Sequence, residues 1–160
     1  MTDNLVPPAP VAPDAPVTLR EVTAATLGPV LRLEVRPEQR GFVATNAVSI
    51  AQAHFSEQAW FRGIWAGDVP VGFVMLSLDR AKQEYWVWRF MIAAPYQRCG
   101  FGRAALRLVV EHVRRLPGAA ELKLSYSPGE GGPQPFYRGL GFEDTGEIED
   151  GEHVMRLALA

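Results

Sequence analysis

Apolar and polar residues alternate over Val17-Thr18-Leu19-Arg20-Glu21-Val22, the period of a strand with one buried face. Thr23 then stands where it can cap a helix running toward Leu33, and a second helical pattern covers residues 46–55. Between residues 59 and 78, two runs of aromatic and β-branched residues flank Gly67-Asp68-Val69-Pro70, a turn signal between antiparallel strands. A further strand over residues 85–92 follows the polar stretch 79–84. The most regular period is helical: Ala105, Leu106, Val109, Val110, Val113 and Leu116 fall on one stripe, which ends near Pro117-Gly118. A strand over residues 121–127 follows, then a short helix over 135–140 closed by Gly141. A hairpin turning at Glu149-Asp150-Gly151-Glu152 leads into the last strand, residues 154–159. The predicted order is β-α-α-β-β-β-α-β-α-β-β, a mixed α/β plan without internal repeats.

Composition narrows what such a fold does. The 160 residues are 48% hydrophobic, enough for one core that needs neither disulfides nor a structural metal. Residues 1–16, rich in proline and alanine and without an apolar period, read as a flexible tail, leaving residues 17–160 as a single domain. A net charge of −2 with interspersed signs argues against nucleic acid and anionic membranes as partners, so any anion recognition has to be local. Cys99 is the single cysteine, and His54, His112 and His153 are too scattered for a metal-ligand motif, so no metal is expected. With neither a membrane-spanning run nor a signal-peptide pattern, the reducing cytoplasm is the expected compartment.

The informative stretch is Gln97-Arg98-Cys99-Gly100-Phe101-Gly102, between a strand and the long amphipathic helix. Glycines at such a junction let the backbone come close to a ligand. The free N–H groups of the helix's first turn then offer about half a positive charge, which suits a pyrophosphate. Arg98 and Arg103 can add charge-assisted hydrogen bonds. The spacing excludes a mononucleotide P-loop, and Ala105 stands where a dinucleotide fingerprint needs its third glycine.

The segment fits Q/R-x-x-G-x-G/A and resembles the GNAT superfamily of acyl-CoA N-acyltransferases. Trp88-Arg89-Phe90-Met91-Ile92 and Phe136-Tyr137-Arg138-Gly139-Leu140-Gly141-Phe142 stand where that family has its acyl-CoA strand and its tyrosine-bearing helix. Within the superfamily the chain is most similar to bacterial spermine/spermidine-type acetyltransferases, in Pro37-Glu38-Gln39, Phe42-Val43-Ala44, Thr145-Gly146-Glu147 and Gly151-Glu152. The resemblance implies a mostly antiparallel central sheet flanked by helices, and acetyl-CoA as co-substrate. It also implies that the backbone of Phe90, Met91 and Ile92 pairs with the pantetheine arm, that residues 98–103 (Arg98, Cys99, Gly100, Phe101, Gly102, Arg103) hold the pyrophosphate, and that Gln97 and Glu130 belong to the same cofactor site. Tyr137 would then lie near the thioester sulfur. Two departures stand out: Arg98-Cys99 replaces the family's usual glycine and lysine, and Glu130 falls in the loop where an asparagine is usual. Glu130 cannot donate a hydrogen bond as asparagine can, and its charge opposes a nearby phosphate.

The implied reaction is direct attack by a primary amine in a ternary complex, with a polyamine such as spermidine as the expected small-molecule acceptor. An ammonium of pKa about 10.4 needs a base, for which Glu34 and Glu84 are candidates, and both equally fit solvated surface carboxylates. Tyr137 is the candidate acid for the leaving thiolate. Glu34, Glu38, Asp79 and Glu84 are the carboxylates expected around a polyamine. Alternatives left open are an aminoglycoside, amino-acid-derivative or protein-amine acceptor, or a non-catalytic acyl-CoA-binding module. Exposed strand edges make a homodimer plausible.

Overall fold

A computed structural model describes residues 8–160 of the chain. Seven strands form one sheet: β1 (Val17–Arg20), β2 (Ala59–Ala66), β3 (Val69–Asp79), β4 (Glu84–Ile92), β5 (Glu121–Tyr126), β6 (Glu143–Glu149) and β7 (Glu152–Ala158). Their order across the sheet is β1-β2-β3-β4-β5-β7-β6, and every neighbouring pair is antiparallel except β4 and β5. Helices α1 (Leu27–Leu31), α2 (Asn46–Ala53), α3 (Phe101–Arg114) and α4 (Gln134–Gly139) fill the connections. The element order matches the periodicities, with two short 3₁₀ turns, Pro37–Gln39 and Ala94–Tyr96, added.

The boundaries differ where side chains compete with the backbone. The regular helix begins at Leu27, and Thr23 caps the turn that leads into it. Its N–H donates to Thr26 Oγ1 (2.9 Å), the Thr26 N–H donates back to Thr23 Oγ1 (3.3 Å), and the Leu27 N–H donates to the Thr23 carbonyl (2.8 Å). The tail also departs from expectation. Residues 1–7 lie outside the described residues, but the Tyr96 hydroxyl donates to the Ala9 carbonyl (3.1 Å), and Val11 and Ala15 pack on the core. Apolar side chains in a proline-rich segment suffice to lay it on a sheet without any secondary structure of its own.

The core is the α3 stripe pressed on the sheet. Phe101, Ala105, Leu106, Val109 and Val113 are buried, as are Phe73, Met75, Leu122 and Leu124 from the strands. Buried Asn46 joins three elements, its Nδ2 donating to the Val30 carbonyl of α1 (3.0 Å) and lying 3.8 Å from the Met91 sulfur of β4. Gly72 on β3 lets the backbones close, since a Cβ there would run into the Met91 carbonyl. These contacts fix the far half of β4, where the cavity opens.

Candidate active site

β4 and β5 form a ladder over only two residue pairs, Trp86 with Lys123 and Val87 with Leu124. Beyond Val87 they part. The β3 ladder jumps there from Met75–Arg89 to Leu76–Val87, so Trp88 is an extra residue on β4, and such a bulge bends its strand. The Ala93 N–H donates to the Val71 carbonyl on β3 (2.8 Å), and the Met91 carbonyl also turns toward β3. Backbone groups alternate along a strand, so those of Phe90 and Ile92 face the gap left by β5. Of the three residues expected to pair with an acyl arm, Met91 thus spends its backbone on the sheet.

A cavity of about 810 Å³ fills the split, bounded by β4, β5, α4, the turn before α3 and the segment between α1 and α2. At one end lies the glycine turn. Gly100 caps α3 with φ +85°, and the first bond into the helix runs from the Ala104 N–H to the Gly100 carbonyl (3.1 Å). The N–H groups of Phe101, Gly102 and Arg103 therefore lack acceptors in the helix, and its first turn holds no acidic residue, which leaves a site suited to an anion. Arg98 and Arg103 line the cavity beside it. A Cβ on Gly102 would sit 3.3 Å from the Phe136 ring, so the glycine keeps the cradle open. These features fit acetyl-CoA: unpaired strand groups suit its amide-bearing arm, and helix amides with two guanidiniums suit its pyrophosphate.

Other expected residues fall elsewhere. Gln97 lines the cavity, but its amide donates to Gln39 Oε1 (2.7 Å) and to the Ile92 carbonyl (2.9 Å), which makes it a tie between segments. Cys99 and Glu130 are exposed and outside the lining, while Phe101 is 3% exposed in the core. Glu34 is exposed and ion-paired to Arg40 at 3.6 Å, with its backbone carbonyl accepting the Ala94 N–H. Glu84 opens β4 opposite Asp79, at the end remote from Ile92. Neither carboxylate lines the cavity. Tyr137 does, and it is 7% exposed, so burial pushes its phenol well above the ordinary range. Its neighbour Phe136 stacks on Phe90 with ring centroids 5.9 Å apart.

Glu152, Ser125 and Arg89 also line the cavity, though the sequence reading assigned none of them to the site. Glu152 is the only carboxylate among the described lining residues, and its Oε2 accepts the Ser125 hydroxyl at 2.8 Å. Arg89 lies on the face of β4 opposite Phe90, donating to the Trp88 carbonyl (3.0 Å) and to Gln52 Oε1 of α2 (3.1 Å). Its Nε is buried without a partner. Burial lowers the pKa of its guanidinium, and the charge of Glu152, which lines the same cavity, raises it.

The chain belongs to the Acetyltransferase (GNAT) family, whose pattern it matches over residues 28–142. It is accordingly an acetyltransferase, and GNAT enzymes use acetyl-CoA. It is 26% identical over 149 residues to the Spermine/spermidine N(1)-acetyltransferase of Bacillus subtilis (strain 168), covering 87% of this chain and 96% of that one. Among solved structures it resembles the ribosomal-protein-S18-alanine N-acetyltransferase of Escherichia coli, with a TM-score of 0.66 at 19% identity over 91% of this chain and 95% of that one. It also resembles the PaiA N-acetyltransferase of Thermoplasma acidophilum in complex with coenzyme A, with a TM-score of 0.66 at 15% identity over 89% and 99%. Among the described residues no helix is long and apolar enough to cross a membrane.

Proposed function

We propose that the protein moves an acetyl group from acetyl-CoA to a primary amine of a small molecule in a ternary complex, with a polyamine such as spermidine or spermine as acceptor. The observation that carries the transfer is the parting of β4 from β5 directly beside the α3 cradle, which aligns an open strand edge with an anion site. When bound, acetyl-CoA supplies the thioester carbonyl. The chain orients it by the free backbone groups of Phe90, by the Ile92 N–H and by the Arg98 and Arg103 guanidiniums. An N–H of Phe90 or Ile92 is the donor available for charge that develops on the carbonyl oxygen, where one such donor contributes roughly 10²–10³ in rate. Tyr137 is the candidate donor to sulfur. A phenol raised above its ordinary pKa stays neutral and gives a hydrogen bond.

The polyamine acceptor is supported by the name of the Bacillus relatives and by charge at the β6–β7 turn. Glu149, Asp150 and Glu152 gather there, with Glu149 directly opposite Glu152. Glu34, Glu38, Asp79 and Glu84, the carboxylates expected for this role, do not line the cavity. The test is a panel of amines with products read by mass spectrometry. Spermidine and spermine are expected to exceed a monoamine of similar length in kcat/KM at low salt, and the margin should shrink as salt screens the exposed acids. Equal efficiency removes the polyamine reading, and no product from any amine removes the catalytic one.

A further inference from the structure

We propose that Glu152 is the carboxylate that docks the reacting ammonium and accepts its proton. The proposal rests on the acetyltransferase reading above and on no particular amine. A primary ammonium entering a half-buried cavity must lose part of its hydration, and an anionic partner offsets that cost. Among the described lining residues only Glu152 is acidic, against the guanidiniums of Arg40, Arg89, Arg98 and Arg103. Arg98 and Arg103 belong to the anion cradle and Arg40 to the exposed pair with Glu34, which leaves Glu152 and Arg89 as the remaining charges of the lining.

Position supports the role as well as charge. The Ser125 hydroxyl holds Glu152 Oε2 at 2.8 Å, which leaves Oε1 for an incoming N–H. Ser125 stands on β5, the strand that has left β4, so Glu152 looks into the gap from the side opposite Phe90 and Ile92. The charged groups around it are Arg89 from β4, Glu149 opposite on β6 and Asp150 in the turn. His153 belongs to the other face, where its ring packs 5.6 Å from Tyr126.

The step balances as follows. The amine nitrogen forms its bond to the acyl carbon and the carbon–sulfur bond breaks with its electron pair on sulfur. The ammonium has no lone pair, so its first proton leaves before attack, to Glu152 and onward to water. The second, carried by the positive nitrogen of the adduct, ends on the thiolate. Glu152 therefore acts before the carbon–nitrogen bond forms, as the general base that frees the amine.

The experiment compares wild type, Glu152→Gln and Glu152→Asp with the best amine of the panel. Glu152→Gln is expected to lower kcat/KM roughly 10²-fold at neutral pH. It should also weaken amine binding to the enzyme–CoA complex in calorimetry while acetyl-CoA affinity stays at the wild-type value. The deficit should shrink as pH rises toward about 9.5, where more amine arrives unprotonated. Glu152→Asp should recover part of the rate with the wild-type pH dependence. A deficit that does not change with pH, a Gln variant as fast as wild type, or loss of acetyl-CoA binding together with turnover overturns the proposal. An inactive wild type, by contrast, takes the catalytic reading down with it.

Discussion

Gln97 Nε2 donates to Gln39 Oε1 at 2.7 Å and to the Ile92 carbonyl at 2.9 Å, so a single amide joins the end of β4, the glycine turn and the 3₁₀ turn at Pro37–Gln39. Gln39 Oε1 also accepts the Arg36 N–H at 3.0 Å. Gln97→Ala leaves the Ile92 carbonyl unpaired inside the cavity wall. The expected cost is about 1–2 kcal/mol in denaturant unfolding, with weaker acetyl-CoA binding in calorimetry because the strand edge and the cradle lose their common anchor. Cofactor affinity equal to wild type would show that the tie holds the fold alone.

Arg98 has φ +61°, a left-handed backbone that costs a side-chain-bearing residue about 1–2 kcal/mol and glycine nothing. Glycine also gives the unfolded chain more freedom, by roughly 0.5–1 kcal/mol, so Arg98→Gly should leave stability equal or slightly higher. It removes one guanidinium from the cradle, and acetyl-CoA binding should weaken about tenfold, the lower range for a charge-assisted bond. A thermal melt and a titration on the same variant separate the two effects. A large loss of stability would mean that the Arg98 side chain supports the turn.

The two cradle glycines should respond differently. A Cβ at Gly100 meets nothing within 4 Å, but its φ of +85° is hostile to other residues, so Gly100→Ala should cost stability by about 1–2 kcal/mol. Gly102 has an ordinary helical backbone, and a Cβ there lies 3.3 Å from Phe136 and 3.4 Å from Ile92, both cavity residues. Gly102→Val should therefore spare the fold and abolish acetyl-CoA binding by pushing Phe136 and its branches into the cradle. Unchanged affinity in calorimetry would remove this turn from the cofactor site.

Local chemistry explains what was legible in the sequence. The 3.6 period of α3 and the glycines before it are consequences of neighbouring residues, so the helix and the turn at its start could be placed from the chain alone. Glu152 could not. It reaches the cavity because β7 sits between β5 and β6, an arrangement set by the whole sheet. Glu84 was attractive for its closeness in sequence to the acyl-CoA strand. Eight residues of extended chain, roughly 26 Å, separate it from Ile92. The bulge at Trp88 was equally silent, since nothing in Trp86-Val87-Trp88-Arg89 marks which residue loses its partner.

Asp144 locks the helix that carries Tyr137. It accepts from Arg138 Nη2 (2.7 Å), from the Tyr126 hydroxyl (2.8 Å) and from Gln134 Nε2 (2.8 Å). The Arg138 hydrogen bond first, and then that of Tyr126, hold its carboxyl below the usual range. A depressed folded pKa contributes stability above the unfolded value, near 3.9, which is lost as pH falls through the folded value. Asp144→Asn should thus cost about 1 kcal/mol at neutral pH, a modest figure because its side chain is 32% exposed, and nearly nothing below about pH 2. Unfolding curves at the two pH values check this, and a cost that does not vary with pH would mean that the charge is irrelevant.

Tyr137→Phe should lower kcat far more than it changes acetyl-CoA affinity. The ring is buried against Phe136 and Phe142, with centroids at 5.3 and 5.7 Å, and phenylalanine keeps all of that packing. Only the hydroxyl goes. Burial raises its pKa with no hydrogen bond contributing, so the group is neutral and unspent at physiological pH. A free thiol titrates near 8.5, so outright proton transfer from so weak an acid to a fully formed thiolate runs uphill. The hydroxyl therefore helps by a hydrogen bond that strengthens as charge builds on sulfur, an interaction made in the transition state and not on binding. One such donor is worth roughly 10²-fold in kcat, with water delivering the final proton. Because the donor stays neutral, the deficit should be constant from about pH 6 to pH 9, unlike that of Glu152→Gln. A phenylalanine variant that turns over at the wild-type rate, in an assay limited by chemistry, would make Tyr137 a packing residue and leave the sulfur to solvent.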